Sequence, residues 1–401
     1  MSGTGRFVRA AILAAAALAV PPVVATAQTV KIGVILTYSG PEAESSEAID
    51  RAITLYSRLH EKDLPSGVKV EIIRRDDTGA KPEIARRLAQ ELVTRDGVQF
   101  IAGVVWSPNA LAIGPVATEA KIPFVIFNAA SSANTRASPY IVRFSWTVWQ
   151  NAYPLGQYAA KQGWQYGYTI VSDYAPGIDG ENAFVKAFTE GGGKVAGSVR
   201  VPVSNPDWVP FLQRAKDAKP DVVFNFNPGG KQAPNFMKAW DSLGFKEAGV
   251  HIVATHDLVT DDELPHIGDP ALGVITAGPY SIAATRPQNK AFLEAWHKEF
   301  GPNAIPNYGA VATWDGMNAM YGVIKETRGK FSSDQALDIL RHWKNPDSPR
   351  GPIAIDPETR DIVQNIYLRR VEKVNGKLEN VEFETVPQMK DPWKELNPVK
   401  Q

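Results

Sequence analysis

The chain of 401 residues contains no cysteine. Disulfide bonds, thiolate metal sites and cysteine nucleophiles are therefore excluded, and so is the lipid-bearing cysteine of an anchored lipoprotein. Histidine is scarce as well: the six histidines form no H-E-x-x-H pattern, which argues against a zinc site. From these absences we expect no metal ion and no cofactor.

Fingerprints of nucleotide binding and hydrolysis are missing too. The triplet Gly191-Gly192-Gly193 is not followed by Lys and Ser or Thr, so it predicts a turn and not a phosphate-binding loop. No G-x-G-x-x-G follows the first predicted strand, and no G-x-S-x-G motif is present. The sequence therefore indicates a binding protein and not an enzyme.

The charge is balanced, with 43 basic and 43 acidic side chains. Such a balance gives no bulk attraction for nucleic acid or for an anionic membrane, so neither is expected as a partner. Apolar residues make up 44% of the chain, enough for more than one core. At this length two domains are the natural expectation.

The N-terminus has the layout of a cleaved secretory signal. Arg6 and Arg9 precede an apolar run over residues 10–24, and Ala25-Thr26-Ala27 follows as a small-residue cleavage site. The run is shorter than the roughly 20 residues that span a bilayer, which disfavours the alternative of an uncleaved anchor. We therefore predict a signal peptide over residues 1–27, cleavage near Ala27, and a periplasmic protein that is not a lipoprotein.

Short apolar runs alternate with amphipathic segments along the rest of the chain, as in α/β proteins with parallel sheets. A first series of strands is predicted at residues 30–36, 69–75, 100–105 and 124–127. A second series is predicted at residues 168–171, 194–201, 221–226 and 250–254. The series resemble each other in architecture, which implies two similar lobes. The tail from Thr385, rich in Pro, Lys and Asn, is predicted to lie on the surface.

Several different short motifs follow one another along the chain. They are Ile32-Gly33-Val34-Ile35-Leu36 with Ser39-Gly40-Pro41, Arg75-Asp76-Asp77-Thr78, Ile101-Ala102-Gly103 with Ser107, Phe127-Asn128-Ala129-Ala130-Ser131, Ser172-Asp173-Tyr174 and Asp221-Val222-Val223-Phe224. By their order and spacing the chain resembles the leucine/isoleucine/valine-binding protein family of type I periplasmic binding proteins, which serve ATP-driven (ABC) importers.

The resemblance implies an α/β fold of two doubly wound parallel-sheet lobes joined by a three-segment hinge. It places lobe 1 at residues 28–143 plus 279–350 and lobe 2 at residues 144–278 plus 351–401. It also implies capture of a small-molecule carboxylate ligand by lobe closure, delivery to the membrane permease of an ABC transporter, and a monomeric protein.

Two serines stand where parallel strands end and helices begin, which is where open α/β sheets bind ligands. Helix N-termini there offer unpaired N–H groups to an anion. In the family, a serine hydroxyl, a backbone group and a second hydroxyl residue hold the ligand's carboxylate, and these positions fall on Ser107, Ala129 and Ser131. Both serines are equally suited to cap helices, and capping is compatible with binding.

The second lobe offers four candidates. Relatives pack an aromatic residue on the ligand near Tyr174, while Asp173 is a candidate for ligand contact or for capping the next helix. Relatives that bind amino acids place an acid near the strand over residues 250–254, where this chain has His256-Asp257. Asp257 would neutralise an ammonium group, whereas His256 would bond a hydroxyl or carboxylate.

Further features bear on the ligand. Trp106 adjoins Ser107 and is a candidate ligand wall. Asn128, in the pair Phe127-Asn128, is typical of the aromatic-acid-binding branch. We therefore predict an aromatic or other hydrophobic monocarboxylate, with a branched-chain amino acid as the alternative. A sensor that presents its ligand to a receptor, and a hydrolase that uses Ser107 with distant His256 as its base, remain competing functions.

Overall fold

The computed structural model describes residues 28–40, 43–204 and 206–398. The predicted signal peptide lies outside these ranges. The first part of the chain forms β1 (Gln28–Leu36), α1 (Glu44–His60), β2 (Val68–Asp76), α2 (Pro82–Glu91), β3 (Phe100–Gly103), α3 (Ser107–Glu119), β4 (Phe124–Ile126) and β5 (Ile141–Arg143). These strands make one parallel sheet in the order β2-β1-β3-β4-β5.

The second part forms α4 (Val148–Lys161), β6 (Tyr166–Ser172), α5 (Ala175–Glu190), β7 (Lys194–Val201), α6 (Trp208–Asp217), β8 (Val222–Phe226), α7 (Gln232–Ser242), β9 (His251–Thr255), α8 (Leu264–Ile267) and β10 (Ile275–Gly278). Its strands build a second parallel sheet, in the order β7-β6-β8-β9-β10.

The last part forms α9 (Pro287–Phe300), α10 (Tyr308–Thr327), α11 (Ser333–Arg341), β11 (Lys344–Asn345), β12 (Ile353–Ile355), β13 (Ile362–Val374), β14 (Lys377–Met389) and α12 (Pro392–Leu396). β13 joins the second sheet antiparallel to β10, and β12 and β14 pair with β13.

The two faces of the first sheet bury different cores. Along β1, Val30, Ile32 and Val34 share one core with Met317 and Ile324 of α10. The next residue, Ile35, faces the other core with Leu88 and Ile113 of α2 and α3. This alternation is what a strand covered by helices on both sides requires. The late helix α10 therefore packs on the first sheet, so the chain returns to the layer in which it began.

The predicted class of two doubly wound lobes is confirmed. The exact lobe boundaries stay a prediction, and Ile353, Ile355 and Ile362, which were assigned to lobe 2, pack in the core of the first sheet. The tail from Thr385 is mostly exposed, as predicted, but residues 385–389 belong to β14, and Asp391 and Lys394 are buried. Polar composition does not predict this burial, because it depends on an ion pair inside the protein. Lys394 pairs there with Asp361 at 3.1 Å.

Two buried arginines hold the chain where it crosses between the sheets. Arg350 donates to the carbonyl oxygens of Phe144 at 2.7 Å and Ser145 at 3.1 Å, and its Nε bonds Asp315 at 2.9 Å. Arg143 donates through Nε to Asp361 at 2.7 Å. Because a buried guanidinium needs a carboxylate and acceptors around it, these networks fix the crossing segments.

Candidate functional site

A narrow pocket lies between the two sheets, at the carboxyl ends of their strands, and encloses about 20 Å³. Both sheets contribute to its lining, which consists of Val105, Trp106, Ser107, Asn128, Ala130, Trp146, Tyr174, Pro176, Phe226, Pro228 and Asp257. The lining is mostly apolar with a few polar groups, which is the composition of a site for a small organic molecule.

A tight turn after β3 orients the first-sheet side of the pocket. Gly103 has φ 109°, and an added Cβ would stand 2.5 Å from the carbonyl oxygen of Ile35. Val104 has φ 53°, a conformation that costs a β-branched residue roughly 1–3 kcal/mol. The hydrogen bond from the Val104 N–H to the Ile35 carbonyl, at 2.8 Å, helps to hold this strained turn. The turn delivers Trp106 and Ser107 to the start of α3.

The hydroxyl of Ser107 is set up to donate. Its oxygen accepts from the N–H of Ser131 at 3.0 Å and from Nδ2 of Asn134 at 3.3 Å. Since a hydroxyl has two acceptor lone pairs and one proton, these bonds leave the proton for another acceptor. Ser107 is 1% exposed and borders the pocket, where the first turn of α3 adds its own N–H groups. This end of the pocket therefore favours an anion.

The other predicted carboxylate contacts are engaged with the protein. The Ser131 hydroxyl donates to Oδ2 of Asp179 at 2.8 Å. The Ala129 N–H donates to the carbonyl of Val104 at 3.1 Å. Neither residue borders the pocket, although the adjacent Asn128 and Ala130 do.

Aromatic side chains from both sheets form the walls of the pocket. Trp106 is fixed by a hydrogen bond from Nε1 to Oγ1 of Thr37 at 3.1 Å. Tyr174 and Phe226 face each other with ring centroids 6.0 Å apart. The Nε1 of Trp146 is buried and has no hydrogen-bond partner within the described chain. An aromatic ligand would find flat surfaces here together with one unused N–H donor.

Asp257 supplies a carboxylate to the second-sheet side. Its Oδ1 accepts from the Tyr308 hydroxyl at 2.8 Å and its Oδ2 from Oγ1 of Thr255 at 2.7 Å. Burial raises the pKa of Asp257 to about 6, although both hydrogen bonds lower it. An ionised carboxylate has about four acceptor positions, so it can accept a further bond from a hydroxyl or an ammonium group.

His256 packs against the rings of Trp146 and Tyr308 and does not border the pocket. Its ring is 4.4 Å from that of Trp146 and 3.9 Å from that of Tyr308, centroid to centroid. Burial, reinforced by the charge of Arg369, holds its pKa well below 6.5, so the ring is neutral. Nδ1 lies 2.8 Å from Nδ2 of Asn151, within hydrogen-bond distance.

Five of the nine predicted residues border the pocket, namely Trp106, Ser107, Asn128, Tyr174 and Asp257. Asp173 is exposed, and its side chain makes no cap bond to α5. Sequence reasoning missed Phe226, which ends a predicted strand and so stood at the expected edge. It also missed Asp179, which sits within a helix where no local signal marks it.

The part of the chain described by the structure contains no group of three or more His, Asp or Glu side chains that could hold a metal ion. Within the same ranges, no helix is both long and apolar enough to cross a bilayer.

Comparison with known proteins identifies relatives along most of the chain. The model of a family described as periplasmic binding protein matches residues 29–377. A Leu/Ile/Val-binding protein homolog 6 from Brucella melitensis is 38% identical over 385 residues, covering 95% of this chain and 98% of that protein.

Two solved structures are also similar. A solute binding protein of an ABC transporter from Rhodopseudomonas palustris BisB5, in complex with 3,4-dihydroxy benzoic acid, is 46% identical; its TM-score is 0.87 and the match covers 92% of this chain and 99% of that one. A solute binding protein from R. palustris, in complex with 4-hydroxybenzoate, is 41% identical, with a TM-score of 0.86 and coverage of 90% and 98%.

Proposed function

The chain belongs to the periplasmic binding protein family, and we propose that it captures aromatic monocarboxylates that carry a ring hydroxyl and delivers them to the permease of an ABC importer. The family places it in the periplasm and makes it a solute-binding protein, in agreement with the motif resemblance. We further infer that it is a monomer, carries no lipid and binds its ligand without turnover.

One observation carries the ligand assignment: the pocket has a hydroxyl donor at one side, a carboxylate acceptor at the other, and aromatic walls between them. The ligand's carboxylate would meet the Ser107 hydroxyl and the N–H groups at the start of α3. Its ring would lie among Trp106, Trp146, Tyr174 and Phe226. Its ring hydroxyl would donate to Asp257, as a charge-assisted hydrogen bond. The solved relatives that bind 3,4-dihydroxy benzoic acid and 4-hydroxybenzoate support this class.

A branched-chain amino acid is the second candidate. The buried carboxylate of Asp257 would neutralise its ammonium group, and the relative from Brucella bears the Leu/Ile/Val-binding name. The aromatic walls favour the first candidate because an aliphatic side chain would leave flat ring surfaces poorly filled. A hydrolytic role for Ser107 would need a base, but His256 is bonded to Asn151 and does not border the pocket.

A thermal-shift screen of the purified mature protein, freed of carried-over ligand by unfolding and refolding, tests the proposal. The panel is 4-hydroxybenzoate, 3,4-dihydroxybenzoate, benzoate, leucine and glucose. Selective ligands raise the melting temperature because they bind only the folded state. We expect the largest shifts with the hydroxybenzoates and none with glucose. A shift with leucine alone would replace the proposal by the second candidate.

A further inference from the structure

Asp179 connects the two halves of the molecule directly. It lies on α5, which packs on the second sheet through Ala183, Phe184 and Phe188. Its Oδ2 accepts from the Ser131 hydroxyl at 2.8 Å and from the N–H of Ser132 at 3.0 Å, in the loop that follows β4 of the first sheet. One carboxylate oxygen from a helix on the second sheet thus accepts hydrogen bonds from two donors in a loop of the first sheet.

The same loop also sets the orientation of Ser107. The backbone N–H of Ser131 and the side chain of Asn134 donate to the Ser107 oxygen and so direct its proton elsewhere. The side chain of Ser131 therefore faces Asp179, whereas its backbone supports the residue that borders the pocket. Ser131 therefore couples the contact between the lobes to the orientation of the Ser107 hydroxyl, and it does so without touching the ligand.

We propose that Asp179 and Ser131 form a latch between the lobes, and that Ser131 acts on the ligand as a positioning residue, through Ser107, and not as a direct carboxylate contact. The affinity measurements that test this latch rest on the proposed function, because they use 4-hydroxybenzoate as the ligand. The latch itself does not depend on the ligand class. When the lobes close, the latch forms, the loop is held, and the Ser107 hydroxyl is ready for the carboxylate.

The surroundings of Asp179 favour strong hydrogen bonds to the loop after β4. Asp179 is largely buried, and burial raises its pKa, while the bonds from Ser131 and Ser132 and the charge of Arg143 act in the opposite direction. Arg143 also donates to the Ser131 carbonyl at 2.7 Å, so a second buried side chain holds the loop. Hydrogen bonds to an ionised acceptor are roughly twice as strong as neutral ones.

The latch has a consequence for affinity. A ligand that binds only the closed state loses apparent affinity in proportion to the fraction of protein that is open. Loss of two bonds to a charged group should lower the closed fraction and weaken binding by about ten- to a hundredfold. Because Asp179 does not border the pocket, this loss would not depend on the ring substituents of the ligand.

A double-mutant cycle on the dissociation constant for 4-hydroxybenzoate, measured by titration calorimetry, tests the arrangement. The variants are Asp179→Ala, Ser131→Ala and the double variant, with Glu190→Ala, at the exposed end of the same helix, as the matched control. We expect Ser131→Ala to weaken binding in the wild-type background and to have no further effect when Asp179 is already alanine. Equal losses in both backgrounds would show that Ser131 touches the ligand and would overturn the proposal. If Asp179→Ala does not fold, Asp179→Asn replaces it in the same cycle.

A second measurement needs no ligand. The chain has no native cysteine, so Glu47→Cys and Asn235→Cys, which both line the mouth of the cleft, accept spin labels uniquely. We expect the unliganded protein to show a population at short label distance that Asp179→Ala reduces and Glu190→Ala does not. Identical distance distributions in all three proteins would refute the latch. This result stands even if the protein binds no aromatic acid, so failure of the latch and failure of the proposed function are distinguishable.

Discussion

Replacement of Asp257 by asparagine should stabilise the unliganded protein but weaken its binding of 4-hydroxybenzoate. The folded protein raises the pKa of this carboxyl from 3.8 to about 6, because burial disfavours the charge. The ionised form therefore becomes costly as pH rises from about 4 to about 6, and the full cost, about 3 kcal/mol, is present at neutral pH. The net shift already includes the opposing effect of the bonds from Thr255 and Tyr308, so Asp257→Asn removes a cost of up to about 3 kcal/mol. Chemical unfolding at pH 7.5 should show an unliganded protein more stable than wild type by up to about 3 kcal/mol.

Recognition should change in the opposite direction. A ring hydroxyl that donates to a charged acceptor gains about 1–1.5 kcal/mol over one that donates to a neutral amide. Calorimetry should therefore show about tenfold weaker binding of 4-hydroxybenzoate to Asp257→Asn, with benzoate little changed. Asp269→Asn, a change at an exposed acid, is the control. In wild type the preference for 4-hydroxybenzoate should shrink below about pH 6, where Asp257 becomes protonated. A preference that survives both the substitution and the low pH refutes the role assigned to Asp257.

Three further outcomes are expected. Ser107→Ala should weaken 4-hydroxybenzoate and benzoate alike, by about tenfold or more, and calorimetry should find their affinity ratio unchanged; a changed ratio would contradict a carboxylate role. Arg350→Met should lower the free energy of unfolding by about 3–5 kcal/mol, because it leaves the buried Asp315 without its partner; a loss below 1 kcal/mol would mean that the pair is not needed at the crossing. Burial and the charge of Asp361 raise the pKa of Asp391 to about 7, so wild type should lose stability as pH rises from about 4 to about 7; melting curves of Asp391→Asn should lose this component, and an unchanged pH profile would contradict it.

Much of the fold was accessible from sequence because its signals are local and repeated. β1 alternates residues between two cores, and α2 begins at Pro82, which suits the first turn of a helix, with Ala85, Leu88 and Ala89 buried. Patterns of this kind follow from the periods of strand and helix. The end of β3 likewise predicted that Ser107 would stand at the edge of the sheet, where the structure places it.

The remaining parts depend on contacts between distant segments. Nothing local to Asp179 indicates that it reaches the loop after β4, and this contact redirects the side chain of Ser131 away from the pocket. The burial of Lys394 depends on Asp361, 33 positions earlier in the chain. His256 and Asp257 are neighbours in sequence, yet only Asp257 borders the pocket, because the short helical turn after β9 directs their side chains differently. Pairings of this kind are set by tertiary packing and have no period in the sequence.

In the proposed function, one pocket binds both ends of a hydroxylated aromatic acid at once. A crystal structure of the protein with 4-hydroxybenzoate would show both contacts together. We expect closed lobes, the ligand's carboxylate within hydrogen-bond distance of the Ser107 hydroxyl, and the ring hydroxyl within the same reach of Asp257. A ligand bound in the reverse orientation, or outside the cleft, would contradict it.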